Sequence, residues 1–302
     1  MSAGANSLTS ILYALGANCA IALTKGAGAW YTGSASLLAE AIHSLADCAN
    51  QGLLLWGLRE ADRPASPEHP LGHGRAIYFW SFLVAVMLFS IGGVFSIVEG
   101  LHKWRAPEPM SDAWVAIGIL AFGIVAESIS LWGALREIRK DRGTRSLWRW
   151  FRTTRQSELL VVLGEDLAAL GGLALALVFI VLAWLTGDPR WDAAGSIAIG
   201  VLLVCVALLV AHEVKALLVG SSTDPDTEAG IRAHLLEQPE VESVYHLVTQ
   251  QLGASVMLAV KARMRPASSD TALVEAINRV ESGLRARFPQ IRWLFFEPDV
   301  SE

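Results

Sequence analysis

Residues 39–51 read AEAIHSLADCANQ and lie inside an apolar stretch that is long enough to cross a membrane as a helix. His43 and Asp47 are four residues apart, so a helix places them on one face, one turn apart. Ionisable side chains inside a membrane helix are costly, which makes them candidates for function. This stretch therefore predicts a membrane protein with a polar site on its second helix.

The composition of the chain agrees with a membrane protein that carries a small soluble part. Of the 302 residues, 53% are hydrophobic and only 18% are charged, whereas soluble domains have roughly 25% charged residues. Residues 1–220 hold 16 Lys and Arg against 17 Asp and Glu, and residues 221–302 hold 8 against 12. The apolar excess thus belongs to the first part. The acidic balance disfavours binding to nucleic acid.

Six apolar segments predict six transmembrane helices in a transport domain over residues 1–220. Their predicted ranges are 8–30, 35–58, 77–102, 113–135, 158–186 and 192–218. In residues 221–302 the periodicity changes to the order helix, strand, strand, helix, strand. The predicted fold class is an α-helical membrane protein with a small α+β (αββαβ) domain over residues 221–302, which we expect to be a dimerisation unit.

The distribution of basic residues in the loops predicts the orientation in the membrane. The loop 136–156 holds eight Lys or Arg, and the loop after the second helix adds Arg59, Arg63 and Arg75. The opposite loops hold Lys103, Arg105 and Arg190. Eleven basic residues against three place the richer loops, and with six helices both termini, in the cytoplasm.

Trp148, Trp150 and Phe151 lie among the arginines of loop 136–156. Their position between two membrane helices favours an anchor on anionic lipid headgroups over a nucleic-acid contact. The start of the chain has no Arg- and Ser-rich transit pattern, which favours a bacterial inner membrane. Its first apolar stretch predicts a retained helix. The cysteines, Cys19, Cys48 and Cys205, form no CxxC and are predicted to be buried structural thiols.

The fifth predicted helix contains a second set of acids in the stretch VVLGEDLAALGG, residues 161–172. Glu165 and Asp166 are adjacent there, and neither this helix nor the second contains Lys or Arg. Carboxylates and an imidazole without a counter-cation indicate a bound cation. At 1.5 Å per residue, Asp47 lies roughly 16 Å and Asp166 roughly 12 Å from the cytoplasmic helix ends, so one site can use both helices. The alternative is a polar cluster that only holds helices together.

Imidazole nitrogen with carboxylate oxygen suits Zn²⁺ and tolerates Mn²⁺, Fe²⁺ or Co²⁺. Two further acids lie in predicted membrane helices: Glu99 near a helix end, and Glu127 at mid-helix, in a polar path or a subunit contact. The loop RPASPEHPLGHGR, residues 63–75, holds His69 and His73 four residues apart. These histidines either capture metal at the entrance or are an ordinary solvated pair.

These motifs together resemble the cation diffusion facilitator family over nearly the whole chain. The resemblance rests on HSLAD (43–47) in the second helix, HPLGHGR (69–75) after it, the acidic pair in the fifth helix and the αββαβ tail. EAIHSLADCANQG followed by PEHPLGHG, with the Glu165–Asp166 pair, is similar in particular to the branch that contains zinc transporter nine of animals.

The resemblance implies a homodimer that exports divalent metal from the cytoplasm in exchange for protons. It implies that His43, Asp47 and Asp166 occupy three positions of an intramembrane tetrahedral site. At the fourth position this chain has Val162. Glu165, water or Asn50 could complete the ligand set.

His69 and His73 match the auxiliary loop site of the family, although Ser66 stands at its usual acidic position, with Glu68 nearby. Arg75 takes the place of a basic residue near the family's dimer interface. The tail lacks the usual histidine pattern, because it has Tyr245-His246 in one strand and Phe295-Phe296-Glu297-Pro298 at its end. We therefore expect a dimerisation domain without metal, in which His234 and His246 are ordinary residues.

The expected function is a Zn²⁺/H⁺ antiporter with metal ion and protons as its partners in a lipid membrane, and with no cofactor. The alternatives are a transporter for Mn²⁺, Fe²⁺ or Co²⁺ and a non-transporting regulatory or scaffold protein. An enzyme is disfavoured because the HxxxD helix lacks the Glu of an HExxH metalloprotease motif.

Overall fold

A computed structural model describes residues 3–107 and 112–301, with only the backbone described for residues 3–17, 140 and 141. The outer ends of the two predicted domains, at residues 1 and 302, and the side chain of Lys140 lie outside the described residues. The described residues up to Val219 are helical apart from short connections, and those that follow form an α+β part.

The helical part contains each of the six predicted segments as a helix. Its elements are α1 (Ala3–Thr32), α2 (Ala35–Ala61), α3 (Ala76–Met87), a π-helical segment (Leu88–Val94), α4 (Phe95–Arg105), α5 (Ala113–Arg142), α6 (Leu147–Thr153), α7 (Ser157–Thr186) and α8 (Arg190–Val219). Because α3, the π segment and α4 follow one another without a break, we call Ala76–Arg105 the third long helix.

The chain is a multi-pass membrane protein by the length and composition of its helices. Four described stretches are apolar and long enough to span a bilayer: Ala76–Arg105, Ala113–Arg139, Ser157–Thr186 and Arg190–Val219. The helices α1 and α2 have 30 and 27 residues, which is sufficient length, but neither meets the same apolar standard. In α2 the reason is a face of polar residues that includes His43 and Asp47.

The third long helix departs from a regular α-helix between Leu88 and Val94, which the periodicity did not indicate. A π turn widens the backbone by one residue and is often found at functional sites. Next to it the backbone approaches α8 closely: a methyl group added at Gly93 would lie 3.1 Å from the Val204 nitrogen, and one at Gly100 would lie 2.9 Å from the Ala193 oxygen. Small residues therefore set the distance between these two helices.

The start of α8 fastens the start of α2. Asp192 is buried, and its carboxylate accepts hydrogen bonds from the Ser34 hydroxyl at 2.7 Å, the Ala35 nitrogen at 2.5 Å and the Ser36 nitrogen at 3.2 Å. The Ser36 hydroxyl donates to the Asp192 carbonyl at 2.7 Å. The first N–H groups of a helix lack partners within the helix, so a carboxylate from another helix satisfies them here and ties the two chain segments together.

The C-terminal part has the predicted order αββαβ. It consists of α9 (Pro225–Glu237), β1 (Val241–Leu252), β2 (Ser255–Met264), α10 (Asp270–Arg287) and β3 (Ile291–Pro298). The sheet order is β1-β2-β3, with β1 antiparallel to β2 and β3 parallel to β2. Apolar residues of both helices and all three strands, among them Ile231, Leu258 and Val280, form one buried core.

Two partly exposed ion pairs join segments in this part of the chain. The Lys261 ammonium group lies 2.7 Å from the Asp299 carboxylate just beyond β3, and this contact lowers the pKa of Asp299 and raises that of Lys261. The Arg279 guanidinium donates to Glu240 at 2.9 Å and lowers the pKa of that carboxyl group. The sheet, its two helices and their buried core thus lie within residues 225–298.

The basic loop contains a short helix that the sequence did not indicate. This helix, α6, begins after Ser146, whose hydroxyl accepts from the Arg149 nitrogen at 3.2 Å, a typical N-cap. Trp150 is fully buried, while Trp148 is 64% exposed and stacks on Phe151 with ring centroids 5.8 Å apart. Two of the three aromatic residues predicted to be a lipid anchor therefore form a ring stack.

The described chain divides into two compact units. One contains Met1–Trp56, Trp80–Arg145 and Glu158–Glu213; the other contains Gly57–Phe79, Ser146–Ser157 and Val214–Glu302. In the second unit the Gly253 nitrogen donates to the Tyr78 hydroxyl at 3.0 Å, and the Arg155 side chain donates to the Ser222 carbonyl at 2.7 Å. The loop segments thus pack in the same unit as the C-terminal part.

We predict that Asp192→Ala destabilises the helical unit by about 2–4 kcal/mol, because it leaves buried donors of α2 without a charged acceptor. The midpoint of thermal unfolding in detergent should fall by roughly 4–10 °C. Asp188→Ala is the matched control, since Asp188 is exposed two residues before the same helix and accepts from one backbone nitrogen. Equal midpoints for both variants would contradict the role assigned to Asp192.

Candidate metal site

One face of α2 carries polar side chains from its first turn to its middle. This polar stripe of α2 consists of Ser36, Glu40, His43, Ser44, Asp47 and Asn50. Their spacing of three or four residues places them on one side of the helix. All are buried except Asp47, whose side chain is 13% exposed. A buried polar row of this length is expensive in an apolar surrounding and marks a functional face.

A small cavity lies against this stripe in the first unit. Its volume is about 50 Å³, which is enough for an ion with part of its water. It is lined by four acids, by other polar residues and by two aliphatic ones: Asp47, Glu127, Glu165, Asp166, Asn18, Ser44, Gln51, Ser130, Ile21 and Val162. The cavity brings together Asp47 and the Glu165–Asp166 pair, which are three of the residues predicted for the site.

His43 stands beside this cavity and contacts Asp47. Its Nδ1 lies 3.6 Å from the Asp47 Oδ1, and its side chain is fully buried. Neither ring nitrogen has a hydrogen-bond partner within the described part of the chain. A methyl group at Gly92 in the π segment would lie 4.0 Å from this Nδ1, so the imidazole lies towards the third long helix.

The two acids of α7 hydrogen-bond to different neighbouring helices. Glu165 accepts from the Asn50 amide at 2.5 Å, and Asp166 accepts from the Ser130 hydroxyl at 3.2 Å. The Asp166 Oδ2 and the Asp47 Oδ1 are buried without hydrogen bonds in the described structure. Buried acceptors without partners are costly, and they are the atoms that a cation would satisfy.

The predicted ligands do not converge on one point in this structure. Among the described residues, no group of three or more His, Cys, Asp or Glu is close enough to hold a metal ion. Asp47, Glu165 and Asp166 line one cavity, but Asn50 and Ser130 hold the two α7 acids. Binding of a metal at this site would exchange those hydrogen bonds for coordination.

Sequence reasoning missed a cation next to this site. The Lys25 ammonium group of α1 lies 3.2 Å from the Glu40 carboxylate and 2.7 Å from the Ser44 hydroxyl. The inference that the α2 acids have no counter-cation is therefore wrong for Glu40, because the partner comes from a third helix. Lys25 interrupts the apolar segment 8–30, and Glu40 begins the quoted motif three residues before His43, so both signals were present.

Glu127 lies on the cavity wall, which agrees with a place in a polar path. Cys48 is buried, whereas Cys205 is exposed, contrary to the prediction that every cysteine is buried. The reason is that one side of α8 faces away from the packed helices. Glu99 is partly exposed and lies in the middle of α4, six residues before its end at Arg105, and not near a helix end as predicted.

His69 and His73 contact each other in the second unit, with ring centroids 4.4 Å apart. The His69 nitrogen and the Ser66 hydroxyl form a hydrogen bond at 3.1 Å that shapes this turn. Arg75 donates to the Leu218 carbonyl at the end of α8. In the C-terminal part, His234 packs edge-on against Phe288 and lies 3.3 Å from the Gln238 amide.

Residues 11–219 match the family described as the cation efflux transmembrane domain. The match covers more than half of the chain, and this chain belongs to the cation efflux family. The resemblance to cation diffusion facilitators seen in the sequence is thereby confirmed.

Individual relatives carry names of zinc transporters and cation pumps. The "Proton-coupled zinc antiporter SLC30A9, mitochondrial" of Xenopus laevis is 35% identical over 230 residues, which are 75% of this chain and 41% of the relative. The "Zinc transporter ZitB" of Escherichia coli is 26% identical over 273 residues, 90% of this chain and 82% of the relative. The "Cation-efflux pump FieF" of Serratia proteamaculans is 29% identical over 264 residues, which are 86% of this chain and 82% of the relative.

The similarity to SLC30A9 confirms the predicted likeness to the zinc transporter nine branch. The chain spans about two fifths of the length of those animal relatives, and it spans four fifths of the two bacterial ones.

Val162 lines the cavity, so a substitution at this position tests whether metal binds there. We predict that Val162→His tightens Zn²⁺ binding in detergent by about tenfold, or about 1.4 kcal/mol, because an imidazole there adds a ligand next to Asp47 and Asp166. Isothermal titration calorimetry measures the effect. Leu167→His is the matched control, since Leu167 is 51% exposed on the same helix and a histidine there should leave the affinity unchanged. Equal affinities of the two variants would contradict a metal site at this cavity.

Proposed function

We propose that this chain is a divalent metal exporter, a Zn²⁺/H⁺ antiporter that moves metal out of the cytoplasm by alternating access. The observation that carries the proposal is the cavity between α1, α2, α5 and α7, in which carboxylates of α2 and α7 meet beside the buried His43. Membership in the cation efflux family and the names of the relatives support the same function.

The proposed cargo ligands are His43, Asp47 and Asp166, with Glu165 as the group that completes the set in place of Val162. Two observations support this role of Glu165: its side chain lines the cavity next to Asp166, and its carboxylate accepts a hydrogen bond from the Asn50 amide. An imidazole with carboxylates favours Zn²⁺, and the same donors accept Mn²⁺, Fe²⁺ or Co²⁺. Competition of these ions in a transport assay distinguishes the proposed cargo from its rivals.

Proton coupling follows from the chemistry of the ligands. An imidazole binds metal only when it has lost its proton, and a carboxylate that is protonated no longer attracts the ion. Protons and metal therefore compete for one buried site. A site that carries metal outward when it faces the cytoplasm first, and carries protons inward on its return, exchanges the two across the membrane.

The proposed architecture has six membrane helices, with α1 and α2 crossing the bilayer beside the four more apolar spans. Residues 1–220 form the transport domain. Residues 221–302 form a cytoplasmic domain through which two chains form a homodimer, and this C-terminal domain binds no metal. The basic loops and both termini lie in the cytoplasm. His69 and His73 receive metal at the entrance, and the membrane is a bacterial inner membrane.

A non-transporting scaffold or regulatory protein is the alternative from another class. The absence of a fourth His or Asp at Val162 favours it. A scaffold has no need of buried acids at an internal cavity, and it should bind no metal there.

We predict that Asp47→Asn and Asp166→Asn abolish Zn²⁺ uptake into proteoliposomes, because each removes a charged ligand and keeps the side-chain shape. Fluorescence of an entrapped zinc indicator measures uptake. Glu99→Gln is the matched control, as an acid of α4 outside the cavity lining, and it should transport like the unmodified protein. Unchanged uptake in both aspartate variants would refute the site, and failure of the unmodified protein to transport any of the four metals would favour the scaffold.

We also predict that Zn²⁺ uptake depends on the proton gradient. A higher proton concentration on the side that receives the metal should accelerate transport, because protons displace metal from the shared site. Vesicles with an imposed pH difference and a membrane potential clamped at zero measure this dependence. Flux that is indifferent to the gradient would indicate facilitated diffusion.

A further inference from the structure

The polar stripe of α2 continues beyond the cavity towards the end of the helix that lies away from the basic loops. Glu40 is one turn beyond Ser44, and Ser36 is one turn beyond Glu40. Both are fully buried. Neither residue lines the cavity. The Ser36 hydroxyl already serves the link to Asp192, so it is the buried carboxylate of Glu40 that requires another explanation.

Lys25 lies across this part of the stripe. Among the residues whose burial the structure describes, it is the one buried Lys or Arg side chain, with 1% exposure. Its ammonium group reaches Glu40 at 3.2 Å and Ser44, a residue of the cavity wall, at 2.7 Å. The positive charge thus stands between the cavity and the rest of the stripe.

Neighbouring helices make room for this pair at the same level. In α5, a methyl group at Gly123 would lie 3.4 Å from the Lys25 Cε, four residues before Glu127 of the cavity wall. In α7, a methyl group at Gly172 would collide with the Glu40 Oε1, six residues after Asp166. On all four helices the pair and its glycines therefore lie beyond the cavity on the same side.

Glu40 is only half used by the lysine. Its Oε2 pairs with Lys25, while its Oε1 is buried without a hydrogen-bond partner in the described structure. A carboxylate accepts through both oxygens. Without Lys25, both carboxylate oxygens of Glu40 would be buried without a hydrogen-bond donor. A bound cation would satisfy both oxygens.

We propose that Glu40 is a second cation-binding group on the outward path of the metal, and that Lys25 is an internal cation that occupies it until the metal takes its place. This inference rests on the proposed export function. A divalent ion at Asp47 repels the ammonium group, and its advance to Glu40 requires that Lys25 leave. The displaced ammonium group can then pair with the carboxylates that the metal has vacated, so the two cations exchange places.

The test counts metal ions and does not depend on transport. Lys25→Met keeps an apolar stem of similar length and frees Glu40, so it should bind one more Zn²⁺ per chain than the unmodified protein in equilibrium dialysis of the detergent-solubilised chain. Lys25→Met with Glu40→Gln should return to the original number. Lys25→Arg keeps the charge and should also retain it. An unchanged number in Lys25→Met would overturn the proposal.

A second variant, Glu40→Gln, provides a test if Lys25→Met does not fold. It is expected to fold because the glutamine oxygen still accepts a hydrogen bond from the Lys25 ammonium group. It should slow Zn²⁺ uptake by about tenfold, as expected for loss of one charged contact, while the affinity of the cavity site stays within about twofold. Glu99→Gln is the control. Uptake at the unmodified rate would overturn the proposal, and loss of uptake with Asp47→Asn but not with Glu40→Gln would leave the export function standing.

Discussion

The structure depends on the cost of placing charge where there is no water. Taking a carboxylate out of water costs several kcal/mol even after relaxation. The first unit contains three buried acids, Glu40, Glu165 and Asp166, and two partly buried ones, Asp47 and Glu127, on the cavity wall. Each of the neighbouring features reduces this cost locally. Asn50 and Ser130 donate to α7, and Lys25 neutralises Glu40. The oxygens that are left without donors are the ones that point to a cation.

The same constraint explains why small residues surround the acids. Hydrogen bonds of about 3 Å between side chains of different helices need helices that approach closely. The absence of a side chain at Gly123 and Gly172 leaves space for the side chains of Lys25 and Glu40. In the same way, Gly93 and Gly100 allow the third long helix to pack closely against α8. The packing and the polar site are therefore two aspects of one arrangement, since larger residues at these positions would separate the donors from the acceptors.

Much of the fold could be predicted from the sequence because the signals are local. Apolar runs of membrane length and the change of periodicity after residue 220 predicted each long helix and the αββαβ order. The π segment and α6 were missed, because a π turn has no distinct periodicity and seven residues are too few to form a pattern. For the candidate site, the four-residue spacing in α2 and the adjacent acids of α7 predicted His43, Asp47, Glu165 and Asp166. Three of these residues line the cavity, and His43 contacts Asp47 beside it. Lys25 was missed because its role depends on which helices are neighbours, and a single sequence does not reveal that.

The link between Asp192 and the first turn of α2 determines how α2 can move. Three donors of Ser34, Ala35 and Ser36 converge on one carboxylate, so this end of α2 is tied to α8 and is the expected pivot for a tilt of the helix. A tilt about such a pivot displaces each residue in proportion to its distance from it. Asp47, about 18 Å along the axis from Ala35, then moves more than twice as far as Glu40, which is about 7.5 Å from it. A small rotation thus becomes a larger change of ligand distance at the cavity.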